Sequence, residues 1–292
     1  MIPKEITDSL SSFFNQSLHQ EIIIHSSQPL SGGSINNVYQ LKMNSGYYCI
    51  KYNNADAYPG MFEKEAMGLG ILGDANEIKV PEVITVQNTN IYSYILLEYI
   101  SSSTKIPGFM ADFGHSLAAL HRHSSAFYGL DHDNYMGSLA QTNTIHHDWS
   151  SFFIEERIER QLILAKNSGY FFPQDLARFQ RLFRQFQTLC PVEKPSLVHG
   201  DLWGGNYIIS GEGRACLIDP AVYYGHREVD IAMSTLFGGF DPEFYSAYNE
   251  VFPMEKGWKD RLDIYNLYPL LVHLNLFGSG YLGSIERIIR KF

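Results

Sequence analysis

Residues 197–206 read Leu-Val-His-Gly-Asp-Leu-Trp-Gly-Gly-Asn and carry the clearest signal in the chain. The apolar start is typical of a short buried strand, which would deliver Asp201 to a glycine-rich loop that reaches Asn206. Residues 207–218 follow as two short apolar runs around a Gly-Glu-Gly turn, and they lead to Asp219. This pattern predicts a hairpin whose two ends bring Asn206 and Asp219 to the same edge of a cleft.

These three side chains suit phosphoryl transfer. A carboxylate must orient and deprotonate the attacking hydroxyl, and oxygen ligands must hold the Mg²⁺ that bridges the phosphates. We therefore predict that Asp201 is the catalytic base and that Asn206 and Asp219 bind the metal. The competing interpretation is an Asp and an Asn that only form turns beside glycines. It accounts for neither the strand–loop–strand context nor Asp219.

The two parts of the chain differ in pattern. Up to residue 100, aromatic and β-branched runs between turn signals predict antiparallel strands, interrupted by one helix from Met61 to Leu72 that Gly73 ends. From Phe109 onward, apolar residues recur at helical spacing. The sequence therefore predicts an α+β protein with two lobes. Residues 1–100 would form a small antiparallel β ATP-binding lobe, and residues 101–292 a larger, mostly helical catalytic and substrate-binding lobe.

Backbone groups at two places in the N-terminal lobe are candidates for binding ATP. The turn between the first two strands contains Gly32, Gly33 and Ser34, and its N–H groups can cover the phosphates. The last strand ends where the chain crosses between the lobes. Its backbone is placed to bond adenine through three residues, Glu98, Tyr99 and Ile100.

A lysine and a glutamate complete the predicted nucleotide site. Lys51 ends the third strand, where its side chain can reach the α- and β-phosphates. On the following helix, Glu65 shares the apolar stripe that contains Phe62. Glu63 lies on roughly the other side, since successive helical residues turn by about 100°. We therefore predict that Glu65 pairs with Lys51 and that Glu63 is a solvated charge.

The catalytic run resembles the active-site loops of protein kinases, and its His-Gly-Asp, residues 199–201, is closer to the aminoglycoside phosphotransferase and choline kinase group. Residues 219–228 read Asp-Pro-Ala-Val-Tyr-Tyr-Gly-His-Arg-Glu and lead almost directly into a helix, without the long peptide-binding segment of protein kinases. Together with Trp203 and the Leu-Phe-Gly-Gly-Phe of residues 236–240, this run resembles the fructosamine kinase (ketosamine-3-kinase) family. The resemblance extends over nearly the whole chain and implies the bilobal, protein-kinase-like fold.

The resemblance implies ATP- and Mg²⁺-dependent phosphorylation of the 3-hydroxyl of ketosamines, which are sugars joined to amines as ketoamines. The 3-phosphate then eliminates and frees the amine, which repairs glycation. The resemblance also implies that Asp230 accepts backbone hydrogen bonds from the catalytic loop and that His199 belongs to its scaffold. Some members carry a cysteine in the glycine-rich loop that links two chains. Because residues 31–37 contain no cysteine, we expect a monomer or a dimer without a disulfide.

Aromatic and polar residues beside the catalytic and metal loops are candidates for binding the acceptor. Aromatic faces suit the C–H faces of a sugar, and polar groups can bind its hydroxyls. The predicted acceptor residues are Trp203, Tyr223, Tyr224, His226, Arg227 and Glu228.

Two alternatives remain open. The first is another small-molecule kinase of the same fold, acting on an aminoglycoside, choline or a hydroxylated amino acid. The second is a pseudokinase that binds nucleotide without turnover. The base Asp201 disfavours the second, because a binding module needs no base.

The composition of the whole chain narrows the partners. Lys and Arg number 22 against 31 Asp and Glu, a net charge of −9, so a nucleic-acid partner is not expected. The three cysteines form no Cys-x-x-Cys pair and are expected to be reduced. The sequence has no evident leader and no apolar run near the ~18 residues of a membrane span. We therefore expect a cytoplasmic enzyme that acts on a small-molecule ketoamine or glycated amine.

Overall fold

A five-stranded antiparallel sheet forms the N-terminal part of the computed structural model, which describes residues 2–30 and 35–292. Its strands are β1 (Ile24–Pro29), β2 (Asn37–Met43), β3 (Gly46–Asn54), β4 (Val83–Asn88) and β5 (Tyr92–Glu98). Their spatial order is β1-β2-β3-β5-β4. In β5, Tyr94 and Leu96 face one side while Ile95 and Leu97 face the other. Both faces of the sheet are therefore apolar, and each must be covered.

Helix α1 (Lys4–Leu18) covers the face that contains Tyr94. Its residues Ile6, Leu10 and Phe14 are buried there. Their spacing of four is helical, yet the prediction from sequence missed this helix. Its start carries no side-chain cap, so the usual signal of a helix N-terminus is missing.

Helix α2 (Met61–Ala75) covers the opposite face with Phe62 and Leu69. The predicted helix is confirmed, but its predicted end at Gly73 is wrong. The helix continues and stops at Asn76, whose φ of 55° is left-handed and whose N–H donates to the carbonyl of Gly73. Asparagine tolerates this conformation and can replace glycine at a helix end.

The C-terminal part is mostly helical and has one large apolar core. Its helices are α3 (Phe109–Leu120), α4 (Trp149–Phe152), α5 (Arg160–Asn167), α6 (Pro173–Leu189), α7 (Glu228–Met233), α8 (Pro242–Val251), α9 (Trp258–Phe277) and α10 (Leu282–Ile289). A π-helical segment, Phe153–Glu159, joins α4 to α5, and a 3-10 turn, Ser279–Tyr281, precedes α10. The predicted α+β arrangement is confirmed. Within residues 2–30 and 35–292, every helix is too short or too polar to cross a lipid bilayer.

Three short antiparallel strand pairs interrupt the helices. They are β6 (Asn134–Met136) with β7 (Leu139–Gln141), β8 (Ser196–Val198) with β11 (Tyr223–Gly225), and β9 (Tyr207–Ile209) with β10 (Ala215–Leu217). The β9–β10 pair is the hairpin predicted between Asn206 and Asp219. The β8–β11 pair joins the strand before the catalytic loop to the chain that follows Asp219, with Val198 opposite Tyr223.

Candidate active site

A cleft between the sheet and the helical part collects the predicted catalytic and metal-binding side chains. Asp201, Asn206 and Asp219 line it from the helical part, and Lys51 and Glu65 line it from β3 and α2. The fold thus brings together five residues from four separate stretches of the sequence.

The catalytic loop lies directly against the segment after Asp219. Gly200 has a φ of 83°, and a Cβ at this position would lie 2.1 Å from the carbonyl oxygen of Ala221. The N–H of Ala221 in turn donates to the carbonyl of His199 at 2.9 Å. Only glycine fits between His199 and Asp201, because both the backbone conformation and the close approach exclude a side chain.

Asp230 holds this loop from behind. Its carboxylate accepts hydrogen bonds from the backbone N–H groups of His199 at 2.7 Å and Gly200 at 2.9 Å. It also lies 3.1 Å from Nε2 of His121, and both side chains are buried. Asp230 therefore makes the backbone contacts predicted for it, and His121 orients its carboxylate.

His199 is fully buried and has a partner on each ring nitrogen. Its Nδ1 accepts from the N–H of Asp201 at 3.2 Å, so the proton is on Nε2, which donates to the carbonyl of Ile218 at 3.0 Å. Burial lowers the pKa of His199 and keeps the ring neutral. These bonds fit the predicted scaffold role, since the ring links the catalytic loop to the strand before Asp219.

The Asp201 carboxylate is oriented by Asn206. Nδ2 of Asn206 donates to Oδ2 of Asp201 at 2.9 Å and to its backbone carbonyl at 2.8 Å. Oδ1 of Asp201 is buried and has no hydrogen-bond partner among the described residues. Burial raises the pKa of Asp201 to about 7, against the bond from Asn206, which lowers it. A carboxylate with such a pKa can accept a proton near neutral pH.

The β9–β10 hairpin brings Asp219 back beside Asn206. The N–H of Ile218 donates to the carbonyl of Asn206 at 3.0 Å and closes the hairpin. Asp219 itself has a φ of 54°, a left-handed value that is uncommon for a residue other than glycine. Such strained residues concentrate at functional sites. This conformation directs the half-exposed carboxylate of Asp219 into the cleft, where it contacts Lys51.

The predicted ion pair between Lys51 and Glu65 is confirmed. Nζ of Lys51 lies 2.6 Å from Oε1 of Glu65, and both side chains are largely buried. Burial alone would lower the pKa of Lys51, but the carboxylates of Asp219 and Glu65 outweigh it and raise the pKa above its usual value. Lys51 is therefore charged, and Glu65 holds it at the end of β3.

The prediction that Glu63 is a solvated charge is wrong. The side chain is half-buried, and its Oε1 accepts a hydrogen bond from Nδ2 of Asn88 at 2.7 Å. The helical rotation does place Glu63 away from Lys51, as expected. The edge strand β4 passes on that side and provides the partner, and the sequence of α2 does not reveal it.

Replacing these two acids in turn separates their roles. We expect Glu65→Gln to lower kcat/KM by ~10-fold or more, the effect of losing ~1.4 kcal/mol of transition-state stabilisation, because Lys51 loses its charged partner. Glu63→Gln is the matched control and should be nearly silent, since an amide oxygen can still accept from Asn88. Steady-state kinetics of both variants check this, and a greater sensitivity at Glu63 would contradict it.

The predicted adenine-binding backbone also lines the cleft. Glu98, Tyr99 and Ile100 are all among its lining residues, and the N–H of Ile100 makes no hydrogen bond to another described residue. The side chain of Glu98 points elsewhere and pairs with Lys79 at 2.8 Å. The other predicted ATP contacts, Gly32, Gly33 and Ser34, lie outside the described residues.

The family model of fructosamine kinases matches residues 6–292. The chain belongs to the fructosamine kinase family. It is therefore a phosphotransferase that uses ATP. A probable ketoamine kinase of Enterococcus faecium is 39% identical over 266 residues, which cover 90% of this chain and 94% of that protein. A chloroplastic protein-ribulosamine 3-kinase of Arabidopsis thaliana is 37% identical over 271 residues, covering 90% of this chain and 81% of that protein.

The solved structure of a putative fructosamine-3-kinase from Haemophilus somnus superposes with a TM-score of 0.88. It is 30% identical in sequence, and the match covers 97% of this chain and 96% of that chain. The predicted protein-kinase-like fold and the predicted family are both confirmed.

The acceptor side of the cleft differs from the prediction. Of the six predicted residues, Trp203 lines the cleft and the other five do not. Tyr223 is 1% exposed, with the guanidinium of Arg157 lying 4.1 Å from its ring centroid. Tyr224 belongs to β11, and strand β8 pairs with one edge of β11. The backbone of Tyr224 also exchanges hydrogen bonds with the backbone of Gly129.

The three charged or polar candidates His226, Arg227 and Glu228 are also buried. Arg227 makes a two-pronged pair with Glu193 at 2.7 and 2.8 Å. Glu228 pairs in the same way with Arg261, and His226 stacks on a buried tyrosine ring. The acceptor role predicted for Tyr223, His226, Arg227 and Glu228 is therefore wrong, because these side chains are buried away from the cleft. The half-buried ring of Tyr224 packs against the helical core and does not line the cleft either.

Aromatic residues that are distant in sequence line the cleft beside Trp203 instead. Phe237 lies edge-on to Trp203 with ring centroids 5.6 Å apart, and the ring of His273 is 4.9 Å from that of Phe237. Tyr281 follows at 5.0 Å from His273. The predicted aromatic character of this end of the cleft is present, although most of the residues that provide it come from after α7.

Proposed function

We propose that this member of the fructosamine kinase family transfers phosphate from ATP to the 3-hydroxyl of ketosamines of the fructosamine or ribulosamine type and so promotes deglycation. The observation that carries the proposal is the meeting of Asp201, Asn206, Asp219 and the Lys51–Glu65 pair in one cleft. The ketoamine and ribulosamine acceptors in the names of its relatives support the substrate class. Its partner is thus a small-molecule ketoamine or glycated amine.

In this proposal Asp201 acts as the general base. Its carboxylate accepts the proton of the acceptor hydroxyl as that oxygen attacks the terminal phosphate of ATP. The raised pKa of Asp201 suits this task near neutral pH. Asn206 fixes the carboxylate, and the bonds from His199 and Gly200 to Asp230 fix the loop that carries it.

The nucleotide would lie between the two lobes, residues 1–100 and 101–292. Lys51, held by Glu65, would neutralise the α- and β-phosphates. The backbone of Glu98, Tyr99 and Ile100 would bond adenine. The N–H of Ile100, which bonds to no other residue in the described ranges 2–30 and 35–292, supports this. Coverage of the phosphates by Gly32, Gly33 and Ser34 stays a prediction.

The residues beside Asp201 fit a magnesium ion. Nδ2 of Asn206 is bonded to Asp201, so its amide oxygen remains for a metal, and the carboxylate of Asp219 is 46% exposed in the cleft. Amide and carboxylate oxygens are the ligands that Mg²⁺ prefers. When bound there by Asn206 and Asp219, the ion would neutralise charge on the phosphates.

Phosphorus NMR tests the acceptor. With a simple fructosamine and ATP, a phosphate ester at the 3-position should appear first and then give way to inorganic phosphate as the adduct eliminates. The matched control is the ketoamine that lacks the 3-hydroxyl, which should not turn over.

Two results would contradict the proposed acceptor. One is a stable phosphate ester at another position of the sugar. The other is turnover of choline or an aminoglycoside beside no turnover of any ketoamine. Neither affects the roles proposed for Asp201, Asn206 and Asp219, which are common to all acceptors.

A further inference from the structure

The β6–β7 hairpin places two buried amides against the chain that follows Asp219. Nδ2 of Asn134 donates to the carbonyl of Val222 at 2.8 Å, and Nε2 of Gln141 donates to the carbonyl of Ala221 at 3.1 Å. Asn134 and Gln141 are 3% and 2% exposed, so water does not compete for these bonds. The two carbonyls belong to the second and third residues after Asp219. The amides therefore fix the path of residues 219–222, which we call the metal segment.

A buried network fixes the orientation of both amides. Nε2 of Gln141 also donates to Oδ1 of Asn134 at 2.8 Å, and the hydroxyl of Tyr268 donates to Oε1 of Gln141 at 2.7 Å. Nδ2 of Asn143 donates to Oδ1 of Asn134 at 3.1 Å, and Arg157 bonds to Oδ1 of Asn143 at 2.7 Å. Because each amide oxygen accepts from a buried donor, the amide nitrogens are left to point at the metal segment.

The same hairpin contacts the N-terminal part of the molecule. The hydroxyl of Tyr135 donates to the carbonyl of Pro59 at 3.0 Å, just before α2. Nζ of Lys64 lies 5.4 Å from the centroid of the Tyr135 ring. Lys64 directly precedes Glu65, so the hairpin bridges the helix that holds Glu65 and the segment that holds Asp219.

We propose that the β6–β7 hairpin is a positioning element for Asp219, with Asn134 and Gln141 as the positioning residues. The proposal rests on the metal-binding role proposed above for Asp219. Neither amide touches the reacting groups. Each donates a hydrogen bond to a carbonyl that follows Asp219. Together they hold Asp219 in its left-handed conformation, so that its carboxylate is placed to bind the metal ion of the nucleotide complex. Loss of these bonds should weaken the binding of nucleotide in the presence of Mg²⁺ and leave its binding without Mg²⁺ unchanged.

Calorimetric binding of ADP, with and without Mg²⁺, tests this without any acceptor. The measured quantity is the ratio of the ADP Kd without Mg²⁺ to the Kd with it. Gln141→Met keeps the length of the side chain but removes its bonds to Ala221, Asn134 and Tyr268. Because only the bond to Ala221 reaches the metal segment, the ratio should fall by about five-fold, the size of one buried hydrogen bond. Gln161→Met is the matched control, because Gln161 is also buried and hydrogen-bonded, to Asn275 at 2.9 Å, but lies outside the cleft. Its ratio should equal that of the unchanged protein.

Tyr268→Phe gives a milder second test, because it removes only the hydroxyl that orients Gln141. It should shift the same ratio in the same direction, by about two-fold, and it applies even where Gln141→Met does not fold. An unchanged ratio in both variants overturns the proposal, and so does an equal loss in Gln161→Met, which would mark a general structural effect. A failure of the ketosamine assignment would appear in the NMR experiment and leave these ADP ratios as they are.

Discussion

Replacing Asp201 with asparagine should leave the fold intact and lower kcat by at least ~10², the range expected for loss of a general base. The asparagine oxygen can still accept the bond from Asn206, which Oδ2 of Asp201 accepts at 2.9 Å. The new NH₂ group then takes the place of Oδ1, and it cannot accept a proton from the acceptor hydroxyl. Turnover by a coupled ADP-release assay and ADP binding by calorimetry check this, and ADP binding should be unchanged.

The pH dependence gives a second check on the same residue. Burial raises the pKa of Asp201 to about 7, so below this pH the carboxyl is protonated and inactive as a base. The kcat/KM of the unchanged protein should therefore rise with pH and level off above about 7, while residual activity of Asp201→Asn should lack this step. Asp148→Asn is the control, because it makes the same chemical change at the start of α4. Asparagine can accept the N–H of Ser151 there as Asp148 does, so this variant should keep the pH profile of the unchanged protein. Near-normal turnover in a folded Asp201→Asn protein would remove Asp201 from this role.

The chemical centre was predictable because each of its side chains lies at the end of a strand or on a helix with a clear period. Asp201 and Asn206 flank glycines after a strand, and a hairpin of ordinary length returns Asp219 to them. The rotation of about 100° per residue was enough to choose Glu65 over Glu63 as the partner of Lys51. These inferences use local geometry, and the structure agrees with them.

The acceptor end was not predictable in the same way. Residues 223–228 follow Asp219 closely, but closeness along the chain does not say which side chains enter the cleft. Arg227 turns inward because Glu193 lies there to pair with it, and a buried charge needs such a partner. The contact depends on two residues far apart in sequence, and no local pattern reveals it.

The positioning hairpin illustrates the same limit for polar residues. In the sequence, Asn134 and Gln141 look like ordinary loop residues near Gly137, and nothing marks them as buried. Their role appears only in the structure, where they donate to the carbonyls of Val222 and Ala221. Buried polar groups are specified by their partners, and those partners are set by the tertiary fold.

Replacing Lys51 with methionine should reduce both turnover and stability. The loss of the cation that faces the phosphates should lower kcat by ~10², the size found when one preorganised electrostatic group is removed. Stability should fall by roughly 3 kcal/mol, because Glu65 is left as a buried carboxylate without its partner at 2.6 Å. Steady-state kinetics and urea unfolding of the variant measure the two effects separately.

The double variant Lys51→Met with Glu65→Gln separates the catalytic from the structural loss. Removing the buried charge of Glu65 should recover part of the lost free energy of unfolding, while kcat should stay low because the phosphates still lack their cation. Lys291→Met is the matched control, since Lys291 pairs with Asp263 at 2.6 Å on the exposed surface and its loss should cost less than ~1 kcal/mol. Recovery of turnover together with stability in the double variant would contradict a direct role of Lys51 at the phosphates. It would instead assign Lys51 to holding α2 against the sheet.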